Sequence, residues 1–520
     1  MFRLSQPVVL AVACVVIAVV SSTGGCSSKS SGTFDQVSGS GSSSSAGTSS
    51  GSSGDDSGGT SSGNPGSSGF NFGGSSGSGG STGSACGNNM TGWCGKVDTS
   101  CGTSTSLTGK VYDPAVKNPI YDVVVFIPND ETTLPKITQG THSCSSCDTP
   151  IGNYVSAVTT NIDGTFTLSP VPTGSNVPVV VQIGKWRRIT HVNIPTSCKA
   201  NAVADKTLHL PGAKSEGDMP QMALLTGGCD DMSCFLLNVG IKSSEFNAPH
   251  AGGRVDVYQG NGLGGVPGPN LDTAIGTGGN CTTTSCPLWA SRAAFEAYDM
   301  AILSCQCGEQ TNNSETPAGY AALHDWVNEG GKVFASHYNY TWFKNSADPK
   351  WVATATWLGS SIAAGSGTFD VDTTFPKGVP FGKWLGVTGA LTAAGPPPTI
   401  MVSSVANSVS TINTATTLRW IYDPSTSPAD TKYLSFNTPI GGTAQSTDAG
   451  ESGKQYCGKA VFTDLHTSAG LIATAPNVPT DCKAADLSPQ QKALEYLFFD
   501  LAACVVDDMA PMPKIIPPPM

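Results

Sequence analysis

The feature that most constrains the fold is a long tract, residues 27–85, made almost only of Ser, Gly and Thr. This composition buries too little apolar surface to offset the entropy lost on ordering, so it predicts a disordered tether. A Gly/Ser coil of about 60 residues spans on the order of 40–45 Å. The folded part must therefore come from the remaining chain of about 435 residues, which suggests two or three domains.

The residues before the tract, 1–25, have the pattern of a secretory signal peptide. Arg3 precedes an unbroken apolar run from Val8 to Val20, and small residues then lead to Cys26. The run is shorter than the roughly 20 apolar residues that span a bilayer. A cysteine after small residues resembles a bacterial lipobox, in which the thiol receives diacylglycerol. Because Ser27 rather than Asp follows, we expect an outer-membrane lipoprotein, anchored to the membrane at Cys26 and facing the periplasm or the cell surface; the alternative is a secreted protein in which Cys26 is a spare thiol.

The charge balance excludes one class of partner. The chain has 27 Lys and Arg against 38 Asp and Glu, a net charge of −11. Its densest basic stretch, Lys185–Arg188, is too short to neutralise a nucleic-acid backbone. We therefore expect no nucleic acid as partner. We also expect no cofactor.

Cysteine usage agrees with export. Of 17 cysteines, Cys14 and Cys26 lie in the leader and lipobox, which leaves fifteen. In an oxidising compartment most of these should form disulfides, and their odd number requires at least one without a partner in the chain. Many lie two to eight residues apart, which predicts local staples. The disulfide candidates are Cys86, Cys94, Cys101, Cys144, Cys147, Cys198, Cys229, Cys234, Cys281, Cys286, Cys457, Cys482 and Cys504.

One cysteine pair also has metal-ligand spacing. His142, Cys144 and Cys147 are arranged like part of a zinc site. No fourth ligand is evident, and exported thiols usually oxidise. The favoured alternative is a loop disulfide from Cys144 or Cys147 to Cys198.

The first folded region follows a Cys-rich knob, residues 86–106, and covers 107–212. Its β-branched segments and its Asp163–Gly164 turn predict strands and hairpins, with no helical periodicity. The segments LTGKVYDP, YDVVVFIPN, TTNIDGTFTLSPVPTG and VPVVVQIGKWRR resemble the carboxypeptidase regulatory-like family. That resemblance implies an all-β sandwich that binds or spaces and has no catalytic residues of its own.

The second region, residues 218–350 with 456–506, alternates apolar strands with helical patterns and predicts an α/β parallel sheet. A β-rich insertion, 351–455, interrupts it, and a Pro/Met tail, 507–520, follows. The segments YDMAILS, ALHDWVNEGGKVFASH and GKAVFTDLH resemble the flavodoxin-like fold of class I glutamine amidotransferases, in its trehalose-utilisation type. Near the position of that family's nucleophilic cysteine, this chain has Ser336 and His337. The whole arrangement resembles secreted myxobacterial lipoproteins.

Two histidines mark a candidate site. His337 and His466 each end an apolar strand, and ligands of open α/β sheets bind at the carboxyl ends of the strands. Ser336, Asp464 and Glu309 are expected near them, with a histidine as general base or metal ligand. The alternative is that each histidine only caps its strand.

The remaining candidate residues each allow a structural interpretation and a functional one. In the Cys305-Gln-Cys307 segment a nucleophilic thiol is conceivable, but a structural disulfide is favoured. The acidic pairs Asp230–Asp231 and Asp370/Asp372 suit calcium or solvated turns. Five tryptophans cluster around the insertion and are expected in the core rather than stacked on sugars; they are Trp342, Trp351, Trp357, Trp384 and Trp420.

The sequence favours a non-catalytic envelope lipoprotein that displays binding domains for a polysaccharide, peptide or protein partner. One alternative is an exported hydrolase of carbohydrate or amide bonds that uses His337 and His466. Another is a purely structural envelope protein.

Overall fold

We analysed a computed structural model of the chain. It describes Cys86 and residues 90–140, 151–260, 271–442, 456–467 and 477–509, apart from 274, 277, 278, 283, 312, 313, 359–364, 504 and 506. The predicted signal peptide, Cys26 and the tether lie outside the described residues, as do His142, Cys144, Cys147, Cys504 and residues 510–520 of the tail. All described residues belong to one unit, Gly77–Met520.

The protein is multidomain and mostly β, with several sheets and few helices. The first region contains eight strands and, among its described residues, no α-helix, in agreement with the predicted β structure. Its strands are β1 (Ser106–Tyr112), β2 (Val124–Pro128), β3 (Tyr154–Thr159), β4 (Thr165–Leu168), β5 (Gly174–Ile183), β6 (Trp186–Ile194), β7 (Ala200–Ala202) and β8 (Leu208–His209).

The eight strands form two four-stranded sheets. One sheet has the order β3-β2-β5-β6, and all of its pairs are antiparallel. The other has the order β4-β1-β7, with β8 also paired to β1. The turn at Asp163–Gly164 connects β3 to β4, and Gly164 has φ +75°, which a glycine tolerates without strain. The predicted hairpin is wrong, because β3 pairs with β2 in one sheet and β4 pairs with β1 in the other.

The second region is built on an eleven-stranded mixed sheet, to which the segment 351–455 contributes five strands. The sheet order is β10-β11-β9-β12-β13-β21-β20-β19-β15-β17-β16, and β14 pairs separately with β18. The strands are β9 (Met222–Leu225), β10 (Phe246–Asn247), β11 (Val255–Tyr258), β12 (Met300–Leu303), β13 (Lys332–Ser336), β14 (Ala355–Trp357), β15 (Gly365–Val371), β16 (Leu391–Ala393), β17 (Thr399–Val405), β18 (Val409–Ile412), β19 (Leu418–Asp423), β20 (Asp430–Thr438) and β21 (Gly458–Thr463).

The helices of the second region are few and mostly short. The α-helices are α1 (Met232–Val239), α2 (Arg292–Phe295), α3 (Pro317–Asn328), α4 (Thr341–Lys344), α5 (Pro349–Val352), α6 (Gly378–Val387) and α7 (Pro489–Ala502). Short 3-10 turns cover Cys94–Lys96, Glu131–Thr133, Ser243–Glu245, Pro287–Trp289 and His337–Tyr340. The predicted start of α7 is confirmed, because Ser488 and Gln491 form a capping box with Pro489 at the first helical position.

Burial on both faces of the sheet explains why the sequences of strands β9 to β13 and β21 are continuous apolar runs. From β10 to β21 every neighbouring pair is parallel, and both faces of the sheet are covered. Along β9, Met222 and Leu224 enter one hydrophobic core while Ala223 and Leu225 enter another. Helix α7 packs on the first core and α3 on the second, so the parallel strands lie between two apolar layers.

The tryptophans are mostly core residues, as predicted. Trp342, Trp351, Trp384 and Trp420 are buried, and Trp357 is half-buried. Among the described residues, no helix combines the length and apolar character needed to cross a bilayer.

Five cysteine pairs lie at disulfide distance, which is consistent with an oxidising, extracytoplasmic location. Two are local staples as predicted, but three join distant segments. The expected bond from Cys144 or Cys147 to Cys198 is wrong, because Cys198 is bonded to Cys101. The pairs are Cys86–Cys94, Cys101–Cys198, Cys229–Cys307, Cys234–Cys482 and Cys281–Cys286, and Cys457 is also disulfide-bonded.

Candidate functional site

The candidate site lies where the parallel strands β9, β12, β13 and β21 end. Their last residues are in register, with Leu303 opposite both Leu225 and Ala335, and Ala335 opposite Phe462. The segments that leave these strands are therefore brought together at one edge of the sheet. They carry Asp230, Cys305, His337 and His466, one from each strand.

Three side chains meet there. Cys305 Sγ lies 3.3 Å from His337 Nδ1, and the same nitrogen lies 3.0 Å from His466 Nε2. These ligand atoms all lie within 4.8 Å of one another. Cys305 is the one free cysteine of the described residues, and all three side chains are buried. We call Cys305, His337 and His466 the Cys-His-His cluster.

The interior keeps the cluster uncharged. Burial is the main cause that raises the pKa of the Cys305 thiol to about 12, with smaller contributions from Asp230 and Asp464. Hydrogen bonds from the backbone N–H groups of Tyr338 and Cys307 oppose this shift. Burial and the neighbouring His466 lower the pKa of His337 to about 2. Burial also lowers the pKa of His466. A protonated thiol and two neutral imidazoles therefore face one another.

The surrounding backbone holds the cluster in place. The N–H of Cys305 donates to Ser336 Oγ at 3.0 Å. Asn339 Nδ2 donates to the carbonyls of Leu303, Ser304 and Ser336, which ties the end of β12 to the end of β13. His337 itself has φ +43°, a left-handed conformation that costs a non-glycine residue on the order of 1 kcal/mol.

The loop after β9 approaches the cluster closely. A Cβ atom on Gly227 would lie 2.1 Å from the carbonyl oxygen of Cys305, so only glycine fits there. The Cys229–Cys307 disulfide joins the same two loops, and the N–H of Cys229 donates to the Cys305 carbonyl at 3.2 Å. The cluster is thus clamped between two cross-linked loops.

Asp230 is a charged neighbour of the cluster. Its Oδ1 accepts the backbone N–H and the hydroxyl of Thr467, at 2.8 and 2.5 Å. Its Oδ2 is buried and has no hydrogen-bond partner among the described residues. The carboxylate also influences the titration of both Cys305 and His466. Its electrostatic effect therefore reaches two members of the cluster.

The sequence predictions for this site can now be compared with the structure. His337 and His466 do meet, whereas Ser336 serves the backbone of Cys305. Asp464 is turned to the N–H of Ser408 at 2.7 Å, and burial raises its pKa to about 6. Glu309 accepts the hydroxyl of Tyr340.

Cys305 differs from its favoured interpretation, because it is a free thiol. The favoured reading placed it in a disulfide, but only Cys307 of that segment is bonded, to Cys229. The available signal was a cysteine directly after one apolar strand and a histidine directly after the next. Asp230 was singled out only as one of an acidic pair; its neighbour Asp231 caps helix α1.

The remaining predicted groups have structural partners. Asp372 pairs with Arg419 at 2.9 Å and caps a turn at Thr374. Two further groups of potential metal ligands, around Cys101–Cys198 and around Cys234–Cys482, have their sulfurs in disulfides. Among the described residues, the Cys-His-His cluster is the group whose sulfur is a free thiol.

Comparisons with known proteins give no further assignment: no family model, no curated protein and no solved structure matches the chain.

Proposed function

We propose that this chain is an exported, envelope-attached protein that binds one transition-metal ion at Cys305, His337 and His466. The observation that carries the proposal is the convergence of one sulfur and two imidazole nitrogens within 4.8 Å of one another inside the protein. Thiolate and imidazole are the preferred protein ligands of Zn²⁺, at about 2.3 Å for sulfur and about 2.0–2.1 Å for nitrogen.

The geometry favours a metal centre over a cysteine nucleophile with its base. In a nucleophile–base–orienter arrangement, the base uses one ring nitrogen for the nucleophile and the other for the orienting group. Here the same His337 nitrogen, Nδ1, faces both Cys305 and His466. Three atoms that point at one place suit an ion between them.

The far nitrogen of His466 supports this reading. Nδ1 of His466 lies 3.3 Å from the hydroxyl of Ser404, which leaves Nε2 for the cluster. Metal-bound histidines usually donate their other N–H to an oxygen, which fixes the tautomer and the ring orientation. Ser404 is in the right place to accept that hydrogen bond.

Charge and ligand type favour Zn²⁺. Binding would displace the thiol proton, and the thiolate with the Asp230 carboxylate would balance a divalent ion. One sulfur and two imidazoles also suit copper. Copper is therefore the second metal to test.

The test is metal content. Full-length protein is incubated with one equivalent of Zn²⁺ or Cu²⁺, desalted and weighed by native mass spectrometry. We expect one Zn²⁺ per chain, lost in Cys305→Ser and in His466→Gln. The matched control His191→Gln changes an exposed histidine outside the cluster and should keep the ion. Wild-type protein without a bound ion, or equal zinc in Cys305→Ser, would overturn the proposal; circular dichroism of each variant confirms folding.

The placement at the envelope rests on the leader and tether, and the oxidised cysteine pairs support export. We further propose that the first region is a carboxypeptidase regulatory-like sandwich and the second an amidotransferase-like α/β domain. Palmitate labelling tests the anchor: a Cys26→Ser variant should lose the label, and undiminished labelling would exclude lipidation at Cys26.

A hydrolase is the second candidate, and Asp230 is the observation that favours it. The cluster supplies three ligands, as catalytic zinc sites do, and a buried carboxylate with an unpartnered oxygen lies nearby. Such a carboxylate can accept a proton from water that attacks an ester, amide or glycosidic bond. Zinc-loaded protein would then hydrolyse such bonds, and Asp230→Asn would lower kcat while keeping the ion. A zinc-loaded wild type without turnover would leave the chain as a metal-binding protein only.

A further inference from the structure

A second candidate site lies between the first region and helix α6, away from the Cys-His-His cluster. It is a cleft of about 470 Å³, a size typical of ligand sites, which favour the boundaries between domains. The loops before β2 and after β3 form one wall and α6 forms the other. The lining residues are Tyr121, Asp122, Thr159, Thr160, Asn161, Ile162, Asp163, Lys383 and Val387.

One residue of the lining has a buried hydroxyl without a partner among the described residues. Thr159 is 3% exposed, lines the cleft, and its Oγ1 has no hydrogen-bond partner among the described residues. Its neighbour Thr160 is satisfied, since its hydroxyl donates to the Ile120 carbonyl at 2.8 Å and accepts the N–H of Val123 at 3.0 Å. Buried polar atoms are nearly always paired, so the Thr159 hydroxyl is available to a bound group at the cleft.

The backbone at the mouth of the cleft is strained. Asp122 has φ +61°, in the left-handed region that non-glycine residues seldom adopt. Both Asp122 and its neighbour Tyr121 line the cleft. Strain of this kind is concentrated at ligand sites.

The chemistry of the lining is amphipathic. Val387 is 48% exposed and Ile162 and Tyr121 are half-buried, so apolar surface remains open to a ligand. Around it lie hydroxyl, amide and carboxylate groups that can bind sugar hydroxyls. Asp122 and Asp163 outnumber Lys383, which disfavours a polyanion.

We propose that this cleft binds a neutral oligosaccharide, with a sugar ring against Tyr121 and a hydroxyl bonded to Thr159. An aromatic ring against the apolar face of a sugar, with polar groups at its edge, supplies both parts of such recognition. The inference is independent of the metal centre, since no residue of the cluster lines the cleft.

Isothermal titration calorimetry of the full chain with cellohexaose, chitohexaose and an oligogalacturonate tests the proposal. We expect binding of at least one of the two neutral hexaoses, weakened about tenfold by Tyr121→Ala. The control Ile189→Ser alters another exposed apolar residue, which does not line the cleft, and should leave affinity unchanged. No binding of either hexaose, tighter binding of the galacturonate, or equal affinity in Tyr121→Ala would each overturn the proposal.

Thr159→Val separates a ligand role from a structural one. Replacing an unpartnered buried hydroxyl with a methyl group should leave the thermal midpoint unchanged or raise it. The same change should weaken hexaose binding several-fold, because the bond to the sugar is lost. A lowered midpoint with unchanged affinity would show that the hydroxyl serves the fold, and would overturn its assigned role. Zinc stoichiometry should be unaffected, so failure of this site and failure of the metal site are distinguishable.

Discussion

The two ends of strand β21 carry buried polar groups of opposite kinds: charged groups in ion pairs at one end and uncharged groups at the other. At its amino end, Lys459 joins Lys377, Asp500 and Asp508 in a network of four ion pairs, with N–O distances of 2.5 to 2.8 Å. Beyond its carboxyl end, His466 meets His337 and Cys305, which are all uncharged. The first set contains two positive and two negative charges, so its net charge is zero. The second contains three uncharged groups, each of which can bind a cation.

This difference separates a structural cluster from a candidate functional one. Buried charges that already have partners stabilise one packing arrangement and bind nothing further. Buried sulfur and nitrogen ligands that converge on one point can bind a metal ion, and that binding stabilises the fold. A perturbed pKa occurs at both ends, so geometry and charge balance, rather than titration, distinguish them.

The largest effect on stability should come from breaking the ion-pair network of Lys377, Lys459, Asp500 and Asp508. Lys459→Met removes one of two positive charges and leaves buried carboxylates uncompensated, which typically costs about 3–5 kcal/mol. Urea unfolding measures the loss. The control Lys199→Met lies on the surface and should change the free energy of unfolding by less than about 0.5 kcal/mol. A loss below about 1 kcal/mol for Lys459→Met would mean that the network is not a unit.

The Cys-His-His cluster should instead gain stability when metal is added. Zinc at about 100 times its Kd should raise the free energy of unfolding by about 2.7 kcal/mol in the wild type. Cys305→Ser should abolish that gain, whereas Lys459→Met, although destabilised, should retain it. Equal stabilisation of Cys305→Ser by zinc would place the ion elsewhere.

A third set of buried polar groups sharpens the comparison because it consists of two carboxyl groups. Asp113 and Glu495 are both fully buried, and Asn118 Nδ2 donates to Glu495 Oε2 at 2.8 Å. Burial, and then the neighbouring Asp113, raise the pKa of Glu495 well above its ordinary value. We infer that a proton, rather than a counter-ion, stabilises this pair.

The sign of the pH dependence follows from the raised pKa. The folded state holds a proton that the unfolded state releases above about pH 4.3, so this contribution to stability is lost as pH rises through the folded pKa. Glu495→Gln keeps an acceptor for Asn118 and removes the charge. We expect a gain of about 1 kcal/mol at pH 8 relative to pH 5, measured by urea unfolding. The same change at both pH values would contradict proton sharing.

A similarly small effect should come from the hydrogen bond behind His466. Ser404→Ala removes the hydroxyl 3.3 Å from His466 Nδ1 and should cost about 1 kcal/mol of stability. Zinc affinity should fall by about tenfold, since it orients a ligand rather than binding the ion. Competition with a chelator measures the affinity. Unchanged affinity would show that Ser404 does not orient His466.

Much of this could be predicted from the sequence. Apolar runs that end in His337 and His466 predicted parallel strands whose carboxyl ends meet, because parallel strands align these ends. The start of α7 followed from Ser488 and Pro489. Local patterns were sufficient for these features.

The rest depends on contacts between distant segments. Which cysteine stays free is decided by the approach of Cys229 to Cys307, 78 residues apart, and spacing does not encode it. Asp464 was placed in the site because it lies near His466, but Ser408 binds it, from a loop of segment 351–455. That segment was expected as an insertion, and its strands continue the main sheet through pairings that no local pattern reveals.

X-ray absorption at the zinc edge of the loaded, full-length protein tests the central claim most directly. Coordination by the Cys-His-His cluster predicts one sulfur at about 2.3 Å and two imidazole nitrogens at about 2.0–2.1 Å, with the sulfur shell absent in Cys305→Ser. A first shell of nitrogen and oxygen only, or one unchanged by Cys305→Ser, would contradict a metal centre at the carboxyl end of β21.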